Sequence, residues 1–308
     1  MKSLRIVFMG SPDFAIPSLE AIHNSDHKII AVVSNPDKRR GRGGKPQPTV
    51  VKKKAVELGY PTLDLEDPKS DVFKEKLKEL KPDLLVVVAF RILPKDILAI
   101  PTIGSINLHA SLLPKYRGAA PIHWAIINGE KETGCTVFFL DEKVDTGEII
   151  GRFKTEIGPM ETTGDLYNRL KVKGADLLKQ CIDQIAEGND QRMAQNHEDA
   201  TPAPKLFNEN TKIDFSESVE NVHNLIRGLN PFPTAWCMYD DKKLNVHRSK
   251  PGPMKKTGEP GELVELDEGL FVQCKDGLLQ LKELQLPGTK RFSGLDFMNG
   301  YDTSVVLK

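Results

Sequence analysis

Apolar residues along this chain follow two rhythms: short unbroken runs, and longer stretches with helical spacing. Residues 4–9 form a short, mostly apolar run that stops at Gly10. Ser11, Pro12 and Asp13 then predict an N-cap, a proline at the first helical position and an acid in the first turn. Phe14, Ala15, Leu19 and Ile22 fall on one face of the helix that would follow. Residues 29–33 and 84–88 (LLVVV) are further apolar runs, and residues 51–58 and 72–80 between them carry helical patterns. Such alternation predicts a mostly parallel sheet with helices on both faces, a doubly wound α/β domain. Residues 104–108 and 136–140 extend the sheet, 149–155 read as an edge or hairpin strand, and 164–186 as a long closing helix.

The rhythm changes beyond that helix. Residues 188–210 are polar and hold Pro202 and Pro204, which is connector composition. A helical segment at 218–228 leads into Asn230-Pro231-Phe232-Pro233. Short alternating runs follow at 235–239, 244–247, 261–265, 269–273 and 278–284, separated by turn residues. They predict a small C-terminal β-barrel. The expected division is therefore 1–189, a connector at 190–208, and 209–308.

Composition narrows the class. The length of 308 residues suits two domains, and 39% hydrophobic with 28% charged residues is that of a folded chain. Lys plus Arg and Asp plus Glu both number 43, so whole-chain charge names no partner. Cys135, Cys181, Cys237 and Cys274 are scattered without metal-type pairing and read as reduced thiols. The N-terminal apolar run is too short for a secretion signal, and no stretch has the length of a membrane span. A cytoplasmic protein is the expectation. Nothing in the apolar pattern demands a dimer, so a monomer is expected.

Several familiar sites are excluded. Gly44-Lys45 lacks the glycine a phosphate loop needs five residues earlier, where Arg39 stands, and Pro46 replaces its Ser or Thr. The first strand ends in a single Gly10 rather than a dinucleotide fingerprint. No His or Cys spacing suits zinc, so no metal is expected.

Chemistry concentrates in residues 104–147. Asn107 and His109 sit two apart at the end of a predicted strand, so their side chains leave one face. In an open α/β sheet the carboxyl ends of strands line the ligand crevice. Asp145 lies beyond the next apolar run, where a strand would deliver it to the same rim. An amide, an imidazole and a carboxylate together suit acyl transfer to an amine without a covalent intermediate. Asn107 can donate to a tetrahedral oxyanion, His109 can exchange a proton or stabilise charge, and Asp145 can orient the imidazole. The same spacing also fits a structural histidine after a strand and an ordinary Asp-Thr-Gly turn, and spacing does not decide between them.

The order and spacing of Asn107-x-His109, Ser111-Leu112-Leu113-Pro114, Arg117-Gly118-Ala119 and Asp145-Thr146-Gly147 resemble the 10-formyltetrahydrofolate-dependent formyltransferases. The resemblance implies a Rossmann-like domain in which Asn107, His109 and Asp145 are catalytic. It also implies that Ser111, Leu112, Leu113 and Pro114 contact the folate co-substrate. Residues 88–94 (VAFRILP) are similar to the loop that holds the pterin, which adds Val88, Phe90 and Ile92. Over nearly the whole chain, from residues 8–15 (FMGSPDFA) to 226–236 (IRGLNPFPTAW), the match is to the subfamily acting on methionyl-tRNA. That subfamily has a C-terminal open β-barrel of the oligonucleotide-binding (OB-like) type.

Charge placement points to RNA independently. Between Lys38 and Lys54 lie eight Lys or Arg and no acid. The glycines among them predict a loop at the mouth of the crevice, able to contact phosphates. Arg40, Arg42 and Lys45 are the RNA-contact candidates, whereas Lys52 to Lys54 sit in a helical pattern and read as solvated surface. A second basic run, 242–256, also lacks acids. The expected partners are thus initiator methionyl-tRNA and 10-formyltetrahydrofolate. The alternatives are a formyltransferase acting on an amino sugar nucleotide, and a non-catalytic RNA-binding protein on this scaffold.

Overall fold

The computed structural model describes residues 2–39 and 44–308, and by contacts it divides into two compact units. The first comprises Met1–Gly118, Gly134–Thr155 and Tyr167–Pro202; the second comprises Ala119–Thr133, Glu156–Leu166 and Ala203–Lys308.

The first unit is built on strands β1 (Arg5–Gly10), β2 (Lys28–Ser34), β3 (Thr62–Asp64), β4 (Leu84–Val88), β5 (Gly104–His109), β6 (Glu132–Phe139) and β7 (Ile149–Glu156). Their order in the sheet is β7-β6-β5-β4-β1-β2-β3. β1, β2, β3, β4 and β5 pair in parallel, and β6 runs antiparallel to β5. Alternate positions of the central strands are buried on opposite faces. Val7, Met9, Leu85 and Val87 form one cluster with Phe73 and Leu77 of α3 (Asp71–Glu79). On α1 (Ile16–His23) Leu19 and Ile22 are buried, and on α2 (Val50–Glu57) Val51 and Ala55. Thr49 and Ser70 cap α2 and α3 by accepting from the amides of Lys52 and Phe73.

The expected cap at Ser11 is not formed. Pro12 precedes a single 3-10 turn, Asp13–Ala15, and Ser11 Oγ instead accepts from the Asn35 amide and bonds Ser34 Oγ. The serine therefore joins the ends of β1 and β2. Later in sequence than the short helices α4 (Lys95–Leu98) and α5 (Pro121–Ile127), the long helix α6 (Thr163–Glu187) approaches the sheet closely at Gly174, where a Cβ would lie 3.0 Å from Leu108 and 3.1 Å from Cys135.

In the second unit, helix α7 (Val219–Gly228), capped by Ser218, buries Val219, Val222 and Ile226. They meet the inner face of an antiparallel sheet of β8 (Ala235–Tyr239), β9 (Lys242–Pro251), β10 (Leu263–Leu266), β11 (Gly269–Gln273), β12 (Leu278–Gln285) and β13 (Phe292–Ser293). The order is β8-β9-β12-β11-β10, with β13 on β12. Lys308 exchanges two backbone bonds with Met238 of β8, and Leu307 donates to Gly261 just before β10. The last residues thus span between the two sheet edges. A capping box at Ser293 and Asp296 starts helix α8 (Gly294–Gly300), which buries Phe297.

Candidate active site

Because β1, β2, β4 and β5 are parallel, their carboxyl ends, at Gly10, Ser34, Val88 and His109, share one edge of the sheet. Strand order reverses between β1 and β4, the position where such sheets bind ligands. Asn107 sits on β5 opposite Val87 of β4, and its Nδ2 donates to the Val87 carbonyl at 3.0 Å. Its second N–H and its oxygen have no partner among the described residues. The amide is therefore anchored through one hydrogen and keeps one for another acceptor.

His109 is 7% exposed, and its Nε2 lies 2.8 Å from the carbonyl oxygen of Tyr116. A carbonyl only accepts, so that nitrogen carries hydrogen. Nδ1 then faces Asp145, whose Oδ2 is 3.8 Å away. The same oxygen accepts the Gly118 amide at 2.8 Å.

Asp145 arrives by a different route from the one expected of a parallel strand. β6 is antiparallel, with Thr136 opposite His109 and Phe139 opposite Ile106, so it ends beside the start of β5. The segment after Phe139 returns Asp145 to the imidazole, with Asp145 itself in the left-handed region (φ 57°). Gly147 in this return lies so close to Phe139 that a Cβ would stand 1.8 Å from the Phe139 carbonyl oxygen. Only glycine fits there.

The Ser111–Pro114 turn is fixed from below. Thr136 Oγ1 donates to the Ser111 carbonyl at 2.7 Å and accepts the Leu113 amide at 3.1 Å. Ser111 Oγ donates to the Lys115 carbonyl at 2.7 Å, and Arg152 donates to the Leu113 carbonyl at 2.7 Å. The Leu113 side chain packs with Phe138 and Ile149 in the core. Ser111, Leu113 and Val88 thus lie buried, whereas Leu112, Pro114 and Phe90 are half-buried and Ile92 is 75% exposed. Ala89, with φ 48°, turns the chain sharply out of β4.

Among the basic candidates, Arg40 and Arg42 lie outside the described residues. Lys45 is exposed beside a small hairpin in which Lys38–Arg39 pairs with Pro46–Gln47. Lys52 does not face bulk solvent freely. Its ammonium bonds Asp37 and Asp64, both at 2.8 Å, and those bonds, to Asp37 first, push its pKa up. Within 242–256, Lys243 bonds Asn208 at 2.9 Å and lies 4.6 Å from the Trp236 ring centroid, while Arg248, Lys250 and Lys255 are exposed.

Four further residues, none given a role by the sequence patterns, support the site: Tyr116, whose carbonyl holds His109, Arg117 of the Arg117-Gly118-Ala119 motif, Gln195 and Thr201. Arg117 donates to Gln195, and Gln195 donates to the backbone of the Asp145 turn. Thr201 accepts the Tyr116 amide through Oγ1 and the Arg117 amide through its carbonyl. Gln195 and Thr201 belong to the stretch expected to connect domains. Their contacts are long-range and leave no periodic signal, and a backbone carbonyl has none in any sequence.

Comparison with known proteins shows the family. Residues 4–182 match the formyl transferase family model, and residues 205–302 match that of the formyl transferase C-terminal domain. The methionyl-tRNA formyltransferase of Clostridioides difficile is 42% identical over 308 residues, covering 99% of this chain and 100% of the relative. That of Desulforamulus reducens is 43% identical over 304 residues, covering 98% and 96%. An N-formyltransferase from Helicobacter canadensis, solved with folinic acid and dTDP-3-aminofucose, superposes with a TM-score of 0.70. It covers 94% of this chain and 100% of its own, but at 23% identity the likeness shows the fold alone. A glycinamide ribonucleotide transformylase from Symbiobacterium toebii covers only 63% of this chain, at 22% identity and a TM-score of 0.52. The chain belongs to the formyl transferase family, among its methionyl-tRNA formyltransferases.

Proposed function

We propose that this protein transfers the formyl group of 10-formyltetrahydrofolate to the α-amine of methionyl-initiator tRNA, the modification that prepares this tRNA for translation initiation. The observation that carries the reading is the match to methionyl-tRNA formyltransferases at 42% identity over essentially the whole chain. The arrangement of Asn107, His109 and Asp145 supports the chemistry.

The folate supplies the formyl group and is consumed as a substrate. The α-amine of an aminoacyl ester is less basic than a free amino acid's, so a nucleophilic neutral fraction exists at cellular pH. Its lone pair attacks the formyl carbon, and the carbonyl oxygen becomes an oxyanion. The spare N–H of Asn107, pre-aimed by the Val87 carbonyl, donates to that oxygen. The amine must lose one proton, and the leaving nitrogen of the folate must gain one. With Nε2–H committed to Tyr116, Nδ1 of His109 is the atom that takes up and returns this proton. The Asp145 carboxylate stabilises the imidazolium that exists between the two transfers.

In this reading the half-buried Leu112, Pro114 and Phe90 and the exposed Ile92 offer side chains to the folate. Val88 offers backbone groups, whereas Ser111 and Leu113 shape the turn beneath the folate, their backbone being bonded to Thr136 and Arg152. Residues 1–189 carry the chemistry, 190–208 connect, and 209–308 hold the tRNA in a cytoplasmic monomer. Arg40, Arg42 and Lys45 reach its acceptor end. No metal takes part.

An acceptor panel tests the assignment. Methionyl-initiator tRNA should be formylated and an amino sugar nucleotide should not. Formylation of the sugar with the tRNA left untouched would move the enzyme to the other branch of the family.

A further inference from the structure

The turn that carries Asp145 is held by a residue more than forty positions away. After α6 the chain runs back along the sheet, where Met193 and Ile149 exchange backbone hydrogen bonds of 2.9 and 2.8 Å. Two residues later Gln195, 7% exposed, reaches the turn. Its Nε2 donates to the carbonyl of Asp145 at 3.0 Å and to that of Gly147 at 2.8 Å. Its Oε1 accepts from Arg117 Nη2 at 2.7 Å. The reversed amide would set its oxygen against two carbonyls, so the orientation is unambiguous.

Both sides of this clamp bear on the same carboxylate. Asp145 and Gly147 bracket the turn that presents it, in a left-handed conformation that the aspartate would not hold by itself. Arg117 precedes Gly118, whose amide donates to Asp145 Oδ2, the oxygen facing His109 Nδ1. Arg117 also bonds His197 Nδ1 at 2.9 Å, which pins the guanidinium from the connector side. One buried amide thus couples the backbone that presents the carboxylate to the strand that receives it.

We propose that Gln195 is a positioning residue for formyl transfer, acting through Asp145 by fixing its carboxylate against the imidazole of His109. This rests on the function proposed above. It assigns a role in the reaction to residues 190–208, which by composition are only a connector. Gln195 touches no substrate in this account; it sets where the charge sits when the proton is on His109.

The test compares wild type, Gln195→Met and Gln195→Glu in formylation of methionyl-tRNA, each also in an Asp145→Asn background. Met keeps the length and loses all three bonds, whereas Glu keeps an oxygen for Arg117 and loses both donors. A displacement of about 1 Å at a reacting centre can cost roughly 100-fold in rate. Both substitutions should therefore lower kcat by roughly 10- to 100-fold, with the KM for tRNA and folate affinity changed by less than about threefold. In the Asp145→Asn background the same substitutions should cost less than about threefold, because the group they position is gone. Should Gln195→Met fail to fold, Gln195→Glu alone carries the comparison.

An unchanged kcat, or a loss of equal size in both backgrounds, overturns the proposal. Wild type that never formylates methionyl-tRNA overturns the functional reading instead, so the two failures are distinguishable.

Discussion

Asn107→Ala should remove most of the catalytic rate while leaving folate affinity almost intact. The side chain is half-buried on β5, and one of its amide hydrogens is spent on the Val87 carbonyl at 3.0 Å. In the proposed mechanism the second meets the oxyanion. Removing one such donor costs about 2.7–4 kcal/mol of transition-state stabilisation, or roughly 10²- to 10³-fold in kcat. Stability should fall too, since the Val87 carbonyl loses this donor, at a net cost of about 1 kcal/mol. For a unit of this size that lowers Tm by only about 2–4 °C, leaving the variant folded at assay temperature. Single-turnover formylation with saturating folate and tRNA isolates the chemical step. Asn107→Asp sharpens the reading: it keeps the shape but presents an acceptor to both the Val87 carbonyl and the oxyanion, so it should be at least as slow as alanine. A loss below about tenfold for Asn107→Ala, with the protein folded and binding folate normally, would refute the assignment of the oxyanion to this amide.

His109→Ala should cost roughly 10²- to 10⁴-fold in kcat with little change in substrate KM, measured by steady-state formylation. Lys45→Ala should raise the KM for tRNA but not for folate, and reduce the slope of log affinity against log salt by about one phosphate contact. Acid stability should depend on His223, which bonds Ser249 and the Pro159 carbonyl and whose pKa burial pushes below its ordinary value of 6.5, with Arg227 adding to the depression. A histidine held neutral imposes no penalty above its unfolded pKa; as pH falls below about 6.5 the unfolded chain takes the proton first and stability is lost. Thermal melts between pH 7.5 and 5.5 should therefore show a smaller loss for His223→Gln than for wild type. Equal losses would place the acid sensitivity elsewhere.

Most of the fold was legible because long apolar runs bury themselves whatever their partners. Residues 84–88, 235–239 and 269–273 are strands with the expected bounds. Thr62–Asp64 was not, since it is short, only partly buried and polar at its end. Helix α8 was missed for a related reason: its burial rests on Phe297 and its start on the reciprocal bonds of Ser293 and Asp296, too little for a period. Pro121–Ile127, which carries His123 and Trp124, is a helix too short to show a period of its own. Ser11 misled because a serine before a proline is a good cap, yet here the neighbouring strand offers Ser34 and Asn35 instead.

Of the candidate site, the pairing of Asn107 with His109 on one strand face was legible in the sequence, and the groups that support it were not. Asn107 and His109 share a face because a strand has period two, which any sequence reveals. The antiparallel direction of β6 is a tertiary fact, and with it goes the way Asp145 returns to His109. Tyr116 meets His109 through a backbone carbonyl, and Gln195 reaches the Asp145 turn across a separation that no local pattern marks.

In the proposed mechanism a formyl group passes directly from the folate to the amine of methionyl-tRNA under the control of Asn107, His109 and Asp145. The most direct measurement follows an isotopically labelled formyl carbon from 10-formyltetrahydrofolate in a single turnover with methionyl-initiator tRNA. The label should appear on the methionyl nitrogen at the rate the folate is consumed, with no labelled protein in between, and His109→Ala should slow both together. Label trapped covalently on the protein, or folate consumed without labelled tRNA, would contradict it.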